Sequence, residues 1–553
     1  MASGAELFVD AIGQLGLTPI FTLVGDHLNE VLALAAQRGM RIFDMRHESG
    51  VTHAADAWAR LTRRPSLALV TGGPGHTNAL TGIATAFLAA SPLIAVSGSR
   101  ASTLAQRQAF QDIDQVGMTR PVVKWAAEPP NAAQIPFYLG RAYAEAVSGR
   151  MGPVHLTIPV DVFRSETASP TAIPMLSVTS PQPSPEEVDR ALALLKAAER
   201  PVIIAGSGIW WARAEAELRE FVEKTSLPLY TITMARGLIS DEHPLVMGYA
   251  DPAMNRAVLT AFQEADLFLI LGKRIDYRLA LGGPRLFPPQ ARFIQVDIHP
   301  QELGMNRRLE VGICADVKAT LRAFLDALGS QRWPAHAWLD RLRALRRQWE
   351  EHLAELARSR ELPMHPAAFY AELKKALPPG TLYSWDGADF AHWGRASTPA
   401  LQPGGWVRLG PLGTIGAGLP NALALQLANP GKPVALITGD GSLGFYIAEL
   451  DTMVRHRLPI VVIVGNDGAW GLERELQRAA TGRQETVACE LRSTRYDLVM
   501  KGFGGEGELI ESLEQVRPAV ERAFSSGQPY LLNVLIRGVR SPFSEWQIAG
   551  KKK

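Results

Sequence analysis

Cysteine is nearly absent: of 553 residues, only Cys314 and Cys489 are cysteines. Two thiols so far apart in sequence exclude a disulfide framework and a cysteine-built zinc site, and they predict a reducing compartment. An excess of either charge is also lacking, since 57 Lys and Arg stand against 55 Asp and Glu, a formal balance of +2. That balance gives no global attraction to a polyanion, and 47% hydrophobic residues exclude a disordered chain. No basic stripe is interleaved with aromatic residues, so no nucleic-acid partner is expected. A targeting signal is missing too: the opening Met-Ala-Ser-Gly-Ala-Glu has neither a basic nor an apolar region, and Glu6 and Asp10 come early. Ala79 to Gly98 is an uncharged run, but it contains Gly82, Ser91 and Pro92. It is predicted to be a helix followed by a buried strand in a protein interior rather than a membrane span. The cytoplasm is the expected location.

Glycine and proline are plentiful, 49 and 38, as where short strands and helices alternate. Proline, Ser and Thr crowd Ser165 to Ser184, which reads as a linker crossing a surface. A second break, Trp333 to Pro366, holds an Arg/Glu/Leu-rich helix predicted from His336 to Arg360. Three blocks result, 1–165, 185–340 and 360–553. Each alternates helical patterns with apolar β-rich runs such as Ser66-Leu-Ala-Leu-Val-Thr, Leu267-Phe-Leu-Ile-Leu-Gly and Ile460-Val-Val-Ile-Val-Gly. Strands that are apolar on both faces and lead through Gly into a helix indicate parallel sheets covered on both sides. The predicted fold class is therefore α/β, with three doubly wound parallel-sheet domains. In such sheets ligands sit at the carboxyl ends of the strands, so those loops are where chemistry is expected.

The strongest motif is Thr438-Gly439-Asp440-Gly441-Ser442, between a strand and a helix. Glycines let backbone N–H groups approach an anion at a helix N-terminus, and Asp440 offers a hard oxygen to a hard cation. Asp467 follows Asp440 by 27 residues, in Asn466-Asp467-Gly468-Ala469-Trp470. One strand-helix-strand unit of that length brings two adjacent strand ends, and both carboxylates, to one spot. Two carboxylates, a loop carbonyl and a diphosphate make a coherent octahedral set for Mg²⁺.

Gly-Asp-Gly followed at this distance by an Asn-containing turn resembles the signature of thiamine-diphosphate (ThDP) enzymes. The resemblance implies that Asp440, the side chain of Asp467 and the carbonyl of Ala469 bind the metal, while Gly439, Gly441, Ser442 and Trp470 meet the cofactor. Position 467 is Asp where most of that superfamily has Asn, and Asp remains an oxygen ligand. In the first block, Arg46-His47-Glu48 precedes a helical pattern. The resemblance makes Glu48 the acid that hydrogen-bonds the cofactor's aminopyrimidine ring nitrogen, a task for a carboxyl able to share a proton in an apolar site. Gly72-Gly-Pro-Gly75-His-Thr-Asn78 matches the family's glycine loop, adding Gly75 and Asn78 to the cofactor residues. Phe110-Gln111-Asp-Ile-Asp places Gln111 beside the reacting carbon as a donor. Gly413-Thr-Ile415-Gly puts Ile415 where the family has the apolar wedge that bends the cofactor. The matches run from about residue 5 to 540, in the order pyrimidine-binding, central Rossmann-like and diphosphate-binding. Because the site needs Glu48 from one domain and Asp440 from another, the resemblance implies an obligate homodimer or homotetramer.

Three neighbouring activities compete: acetolactate synthases, benzaldehyde lyases, and 2-hydroxyacyl-CoA lyases with their oxalyl-CoA decarboxylase relatives. Leu23-Val-Gly-Asp-His27 discriminates, because acetolactate synthases have a Pro-Gly-Gly turn there, whereas benzaldehyde lyase and one branch of the hydroxyacyl-CoA lyases have Gly-x-His. His27 is thereby placed over the reactive carbon. Glu473, after the metal turn, is either a carboxylate facing a substrate hydroxyl or a solvated helix charge. The tail, Ser541 to Lys553, either frays in solvent or folds over CoA with its three terminal lysines. Ala205-Gly-Ser-Gly and Gly272-Lys-Arg274-Ile-Asp-Tyr-Arg278 could hold an adenosine group, and no flavin is expected. The reading is a ThDP- and Mg²⁺-dependent C–C lyase. It would cleave a 2-hydroxyacyl-CoA into formyl-CoA and an aldehyde or ketone, with acetolactate synthesis or benzoin-type carboligation as the alternative.

Overall fold

The structure, a computed structural model, describes residues 1–174 and 179–551; residues 175–178 of the predicted linker lie outside the described residues. Three six-stranded, all-parallel sheets account for the strongly apolar runs, as expected from sequence. The first holds β1 (Ile20–Thr22), β2 (Ile42–Asp44), β3 (Ser66–Val70), β4 (Leu93–Ser99), β5 (Trp125–Ala127) and β6 (Val154–Pro159). The second holds β7 (Pro201–Ala205), β8 (Leu229–Thr231), β9 (Val246–Tyr249), β10 (Leu267–Leu271), β11 (Arg292–Asp297) and β12 (Val311–Cys314). The third holds β13 (Leu382–Trp385), β14 (Trp406–Arg408), β15 (Val434–Gly439), β16 (Ile460–Asn466), β17 (Glu506–Ile510) and β18 (Tyr530–Leu535).

Strand order is β2-β1-β3-β4-β6-β5 in the first sheet and β14-β13-β15-β16-β18-β17 in the third, one topology used twice. The middle sheet runs β9-β8-β7-β10-β11-β12, the doubly wound order whose switch point lies between its first and fourth strands. β15 and β16 are buried along their whole length, which is why they read as continuous apolar runs. The uncharged run 79–98 is, as predicted, the end of the helix Pro74–Ala89 followed by β4. No helix among the described residues is long and apolar enough to cross a membrane.

Two differences from the sequence reading have local causes. The predicted glycine loop 72–78 is a loop only through Gly73; Pro74 opens a helix that carries Gly75 and Asn78. Proline suits a first helical turn, and Gly73 supplies the left-handed φ of 59° before it. The helix predicted from His336 to Arg360 is Trp338–Leu356, shorter at both ends. The outer domains meet through the helices Glu48–Thr62 and Gly418–Ala428, whose facing residues, including Val51, Ala55, Leu419 and Leu423, are fully buried. Truncating one such leucine to alanine costs about 2–5 kcal/mol.

Candidate functional site

In the first domain His27 and Gly75 meet at Thr71, Glu48 lies beside Gly75 and pairs with Asn78, and Gln111 lies on Gly73. Glu48 opens its helix, and its Oε2 accepts a hydrogen bond from Asn78 Nδ2 at 3.0 Å. A Cβ on Gly75 would lie 2.7 Å from the Thr71 side chain and 3.5 Å from Glu48 Oε1, so glycine keeps this face open. His27 is 9% exposed. Its Nδ1 lies 2.8 Å from Thr71 Oγ1 and accepts from the Gly72 N–H at 3.3 Å. A backbone N–H can only donate, so the ring proton sits on Nε2. Burial lowers the His27 pKa and keeps the ring neutral. Gln111 packs on Gly73, where a Cβ would come within 2.7 Å of it. Gln115, buried and closing the Phe110–Gln115 motif without a role assigned from sequence, accepts from Gly73 N–H at 3.0 Å and donates to the Gly98 carbonyl at 3.1 Å. Its only sequence signal was the polar turn it closes.

In the third domain Gly439 pairs with Gly465 across β15 and β16, so the two strands end level and Asp440 and Asp467 emerge on one edge. Asp440 is buried, and its carboxyl is pushed up to about 7 by desolvation and then by the charge of Asp467. Its Oδ2 is buried with no hydrogen-bond partner among the described residues, an arrangement that costs free energy unless a cation is to be ligated there. Asp467 is likewise raised to about 6 by burial, with Arg474 Nη2 at 2.9 Å opposing the shift. Ala469 is flanked by the bonds Leu491 N–H to Gly468 O and Trp470 N–H to Cys489 O. Its own carbonyl receives no backbone bond of that ladder. The Trp470 ring covers Gly441, whose Cβ would be 2.6 Å from it. Ile415 and Ser442 converge on Gly387, a Cβ there meeting Ile415 Cγ2 at 2.6 Å and Ser442 Oγ at 3.1 Å. The turn carrying Ile415 is held by Asp386, which accepts from Gly416 N–H at 2.9 Å and Gly418 N–H at 3.2 Å. Sequence reasoning missed Asp386, although it stands at the end of β13 in Trp385-Asp-Gly-Ala.

Among the described residues, no hydrogen bond or ion pair joins the His27/Glu48/Gln111 group to the Asp440/Asp467/Ile415 group. Exposed apolar side chains lie close in sequence to each group: Val24, Phe110 and Ile113 to the first, Leu412 and Phe445 to the second. Phe110 is 86% exposed. Glu473 stands exposed in the first turn of the helix Gly471–Thr481 and makes no side-chain hydrogen bond or ion pair among the described residues.

Through Lys551 the tail is ordered as a helix. Residues Pro542–Lys551 form a helix across two domains. Ser541 donates to the buried Asp389 at 2.5 Å, Phe543 stacks on His392 at 4.1 Å, and the Arg285 guanidinium lies 3.3 Å over the Trp546 ring. Lys552, Lys553 and the Lys551 side chain lie outside the described residues. A cavity of about 790 Å³ opens elsewhere, at the carboxyl ends of the middle sheet. Both segments expected to hold an adenosine group line it, through Ser207, Gly208, Lys273, Arg274 and Arg278, and its wall carries eight Lys or Arg against five Asp or Glu.

Compared with known proteins, residues 2–118 match the thiamine pyrophosphate enzyme N-terminal TPP binding domain, 188–324 the central domain and 386–534 the C-terminal TPP binding domain. The chain belongs to the thiamine pyrophosphate enzyme family. It is 36% identical over 527 residues to the acetolactate synthase large subunit IlvG of Mycobacterium tuberculosis (94% of this chain, 93% of that one). It is 31% identical over 557 residues to mouse 2-hydroxyacyl-CoA lyase 1 (97% and 94%) and 31% over 598 residues to human 2-hydroxyacyl-CoA lyase 2 (99% and 92%). As a thiamine pyrophosphate enzyme the protein uses ThDP, the same cofactor under its other name, for C–C bond chemistry. The relatives carry two different substrate names, so membership alone does not choose between them.

Proposed function

We propose that this ThDP enzyme is a lyase that cleaves a 2-hydroxyacyl-CoA into formyl-CoA and an aldehyde or ketone, and joins them in reverse. The observation that carries the reading is His27, buried and neutral, with Nδ1 engaged by Thr71 and Gly72 and Nε2–H directed away from that pair. In this tautomer His27 is a donor, suited to an oxygen on which charge develops. Proton removal from the 2-hydroxyl then falls to another group, and Glu473 is the carboxylate free for it. Asp440, Asp467 and the Ala469 carbonyl would hold Mg²⁺, and Gly439, Gly441 and Ser442 the diphosphate, beneath Trp470. Bound ThDP supplies carbanion stabilisation at its thiazolium carbon. Glu48, oriented by Asn78, holds the proton at the aminopyrimidine nitrogen, Gln111 donates beside the reacting carbon, and Ile415 shapes the cofactor's bend. The basic cavity suits a phosphorylated adenosine group, of CoA or of another adenine nucleotide. Two chains, each covering these exposed apolar side chains of the other, would bring Glu48 to Asp440.

Acetolactate synthesis from pyruvate is the second reading, favoured by the 36% identity to a protein of that name. Purified protein with ThDP and Mg²⁺ separates the two. One reaction receives a short 2-hydroxyacyl-CoA and is assayed for formyl-CoA and aldehyde; the other receives pyruvate and is assayed for acetolactate. Formyl-CoA in the first alone is the expected result. Acetolactate in the second alone would overturn the lyase reading and make His27 a carboligase residue.

A further inference from the structure

The turn that presents Glu48 is gripped from behind by the third domain of the same chain. Glu449 is fully buried, and its carboxylate oxygens lie 3.2 and 3.3 Å from the Arg46 N–H, which they accept. Thr452 Oγ1 donates to Glu449 Oε2 at 2.6 Å. Nearby, the Tyr446 hydroxyl and Ser49 Oγ are 2.5 Å apart, both buried. His456 Nε2 lies 3.0 Å from Asp44 Oδ1, and Arg455 pairs with the same Asp44. Glycine at position 50 makes room: a Cβ there would fall 2.7 Å from Glu449 Oε1. Residues 440–456 therefore run without interruption from Asp440 to the backbone that aims Glu48.

A buried carboxylate is costly unless its bonds repay it, and burial pushes Glu449 up to about 7. An apolar residue of similar size would fill the same space without that cost. Its carboxylate meets the backbone of Arg46, two residues before the activating acid, and Thr452 holds it there. We infer that Glu449 is a positioning residue for Glu48, fixing through the Arg46 N–H where the acid stands, so that the segment holding cofactor in one half-site also sets the acid of the other half-site on its chain. This rests on Glu48 being the activating acid.

The test uses the full-length protein loaded with ThDP and Mg²⁺, and reads proton–deuterium exchange at the thiazolium carbon separately from ThDP affinity by tryptophan quenching. Glu449→Leu is expected to slow exchange about tenfold or more, because misplacing a catalytic group by a fraction of an ångström suffices. ThDP affinity should stay within about threefold. Glu449→Gln keeps an acceptor for Arg46 and should recover most of the rate. Gly50→Ala, which pushes the carboxylate away without removing it, should resemble Glu449→Leu and carries the test if that variant does not fold. Wild-type exchange in both Glu449→Leu and Gly50→Ala, or slowing only in step with lost affinity, would overturn the inference. Glu48→Gln is the control: if it too exchanges at the wild-type rate, the assignment of Glu48 is what has failed.

Discussion

Replacing Glu48 by Gln should lower kcat by about 10²–10⁴, the usual range for removing a group that moves a proton at the reacting centre. Affinity for ThDP should change little. The amide keeps the shape and the contact with Asn78 at 3.0 Å, but it cannot share a proton with a ring nitrogen. Nothing else among the described residues can substitute: the other carboxylate at that turn, Glu449, is buried behind the backbone. Steady-state rates with the active substrate, alongside a ThDP titration, measure both quantities. A variant retaining more than about a tenth of the wild-type kcat would remove Glu48 from the role of acid.

Asp440→Asn should abolish tight Mg²⁺ binding and, without cofactor, raise stability at alkaline pH. The sign follows from burial. The folded-state carboxyl titrates near 7 against 3.8 for an ordinary aspartate, so the folded state holds this proton more tightly than the unfolded one. Stability from the group is then fully present below the unfolded value and lost as the pH rises through about 7. At pH 8 the wild-type apoprotein bears a buried charge next to Asp467, which the amide removes. Melting curves without cofactor should place the variant a few degrees above wild type at pH 8 and close to it near pH 4. Adding ThDP and Mg²⁺ should stabilise wild type alone. Because the metal must displace that proton, its apparent affinity for wild type should fall by up to about tenfold per pH unit below the titration point. Equal Mg²⁺ stabilisation of both proteins at pH 8 would overturn Asp440 as a ligand.

The neighbouring strand ends that carry Asp440 and Asp467, and all three sheets, were legible because they rest on short-range physics. Strands buried on both faces leave apolar runs of characteristic length, and a strand-helix-strand unit fixes which strand ends are neighbours. Asp386, Gln115 and Glu449 were not legible. Their partners lie 30 or more residues away, at Gly416, Gly73 and Arg46, and a single Asp, Gln or Glu in sequence carries no sign of the backbone N–H it will meet. The tail was ambiguous for the same reason, since Ser541, Phe543 and Trp546 find their partners only on surfaces that two folded domains create. His27 was picked out by its turn, but the placement of its ring proton on Nε2 follows from the Gly72 N–H, which no spacing rule predicts.

If, as proposed, Glu48 and Asp440 of two different chains complete each site, their separation within one chain would change how inherited defects combine. A chain carrying Glu48→Gln keeps a sound diphosphate half, and a chain carrying Asp440→Asn keeps a sound acid half. In a mixed pair one site collects both lesions and the other collects neither. Two alleles that are each null alone should then complement in one cell. Random pairing would restore about a quarter of full activity, half of the pairs being mixed and each having one intact site. With a site shared between two chains as proposed, selection would act on the pair, and a lesion in one half would be complemented by a lesion in the other half of a second chain.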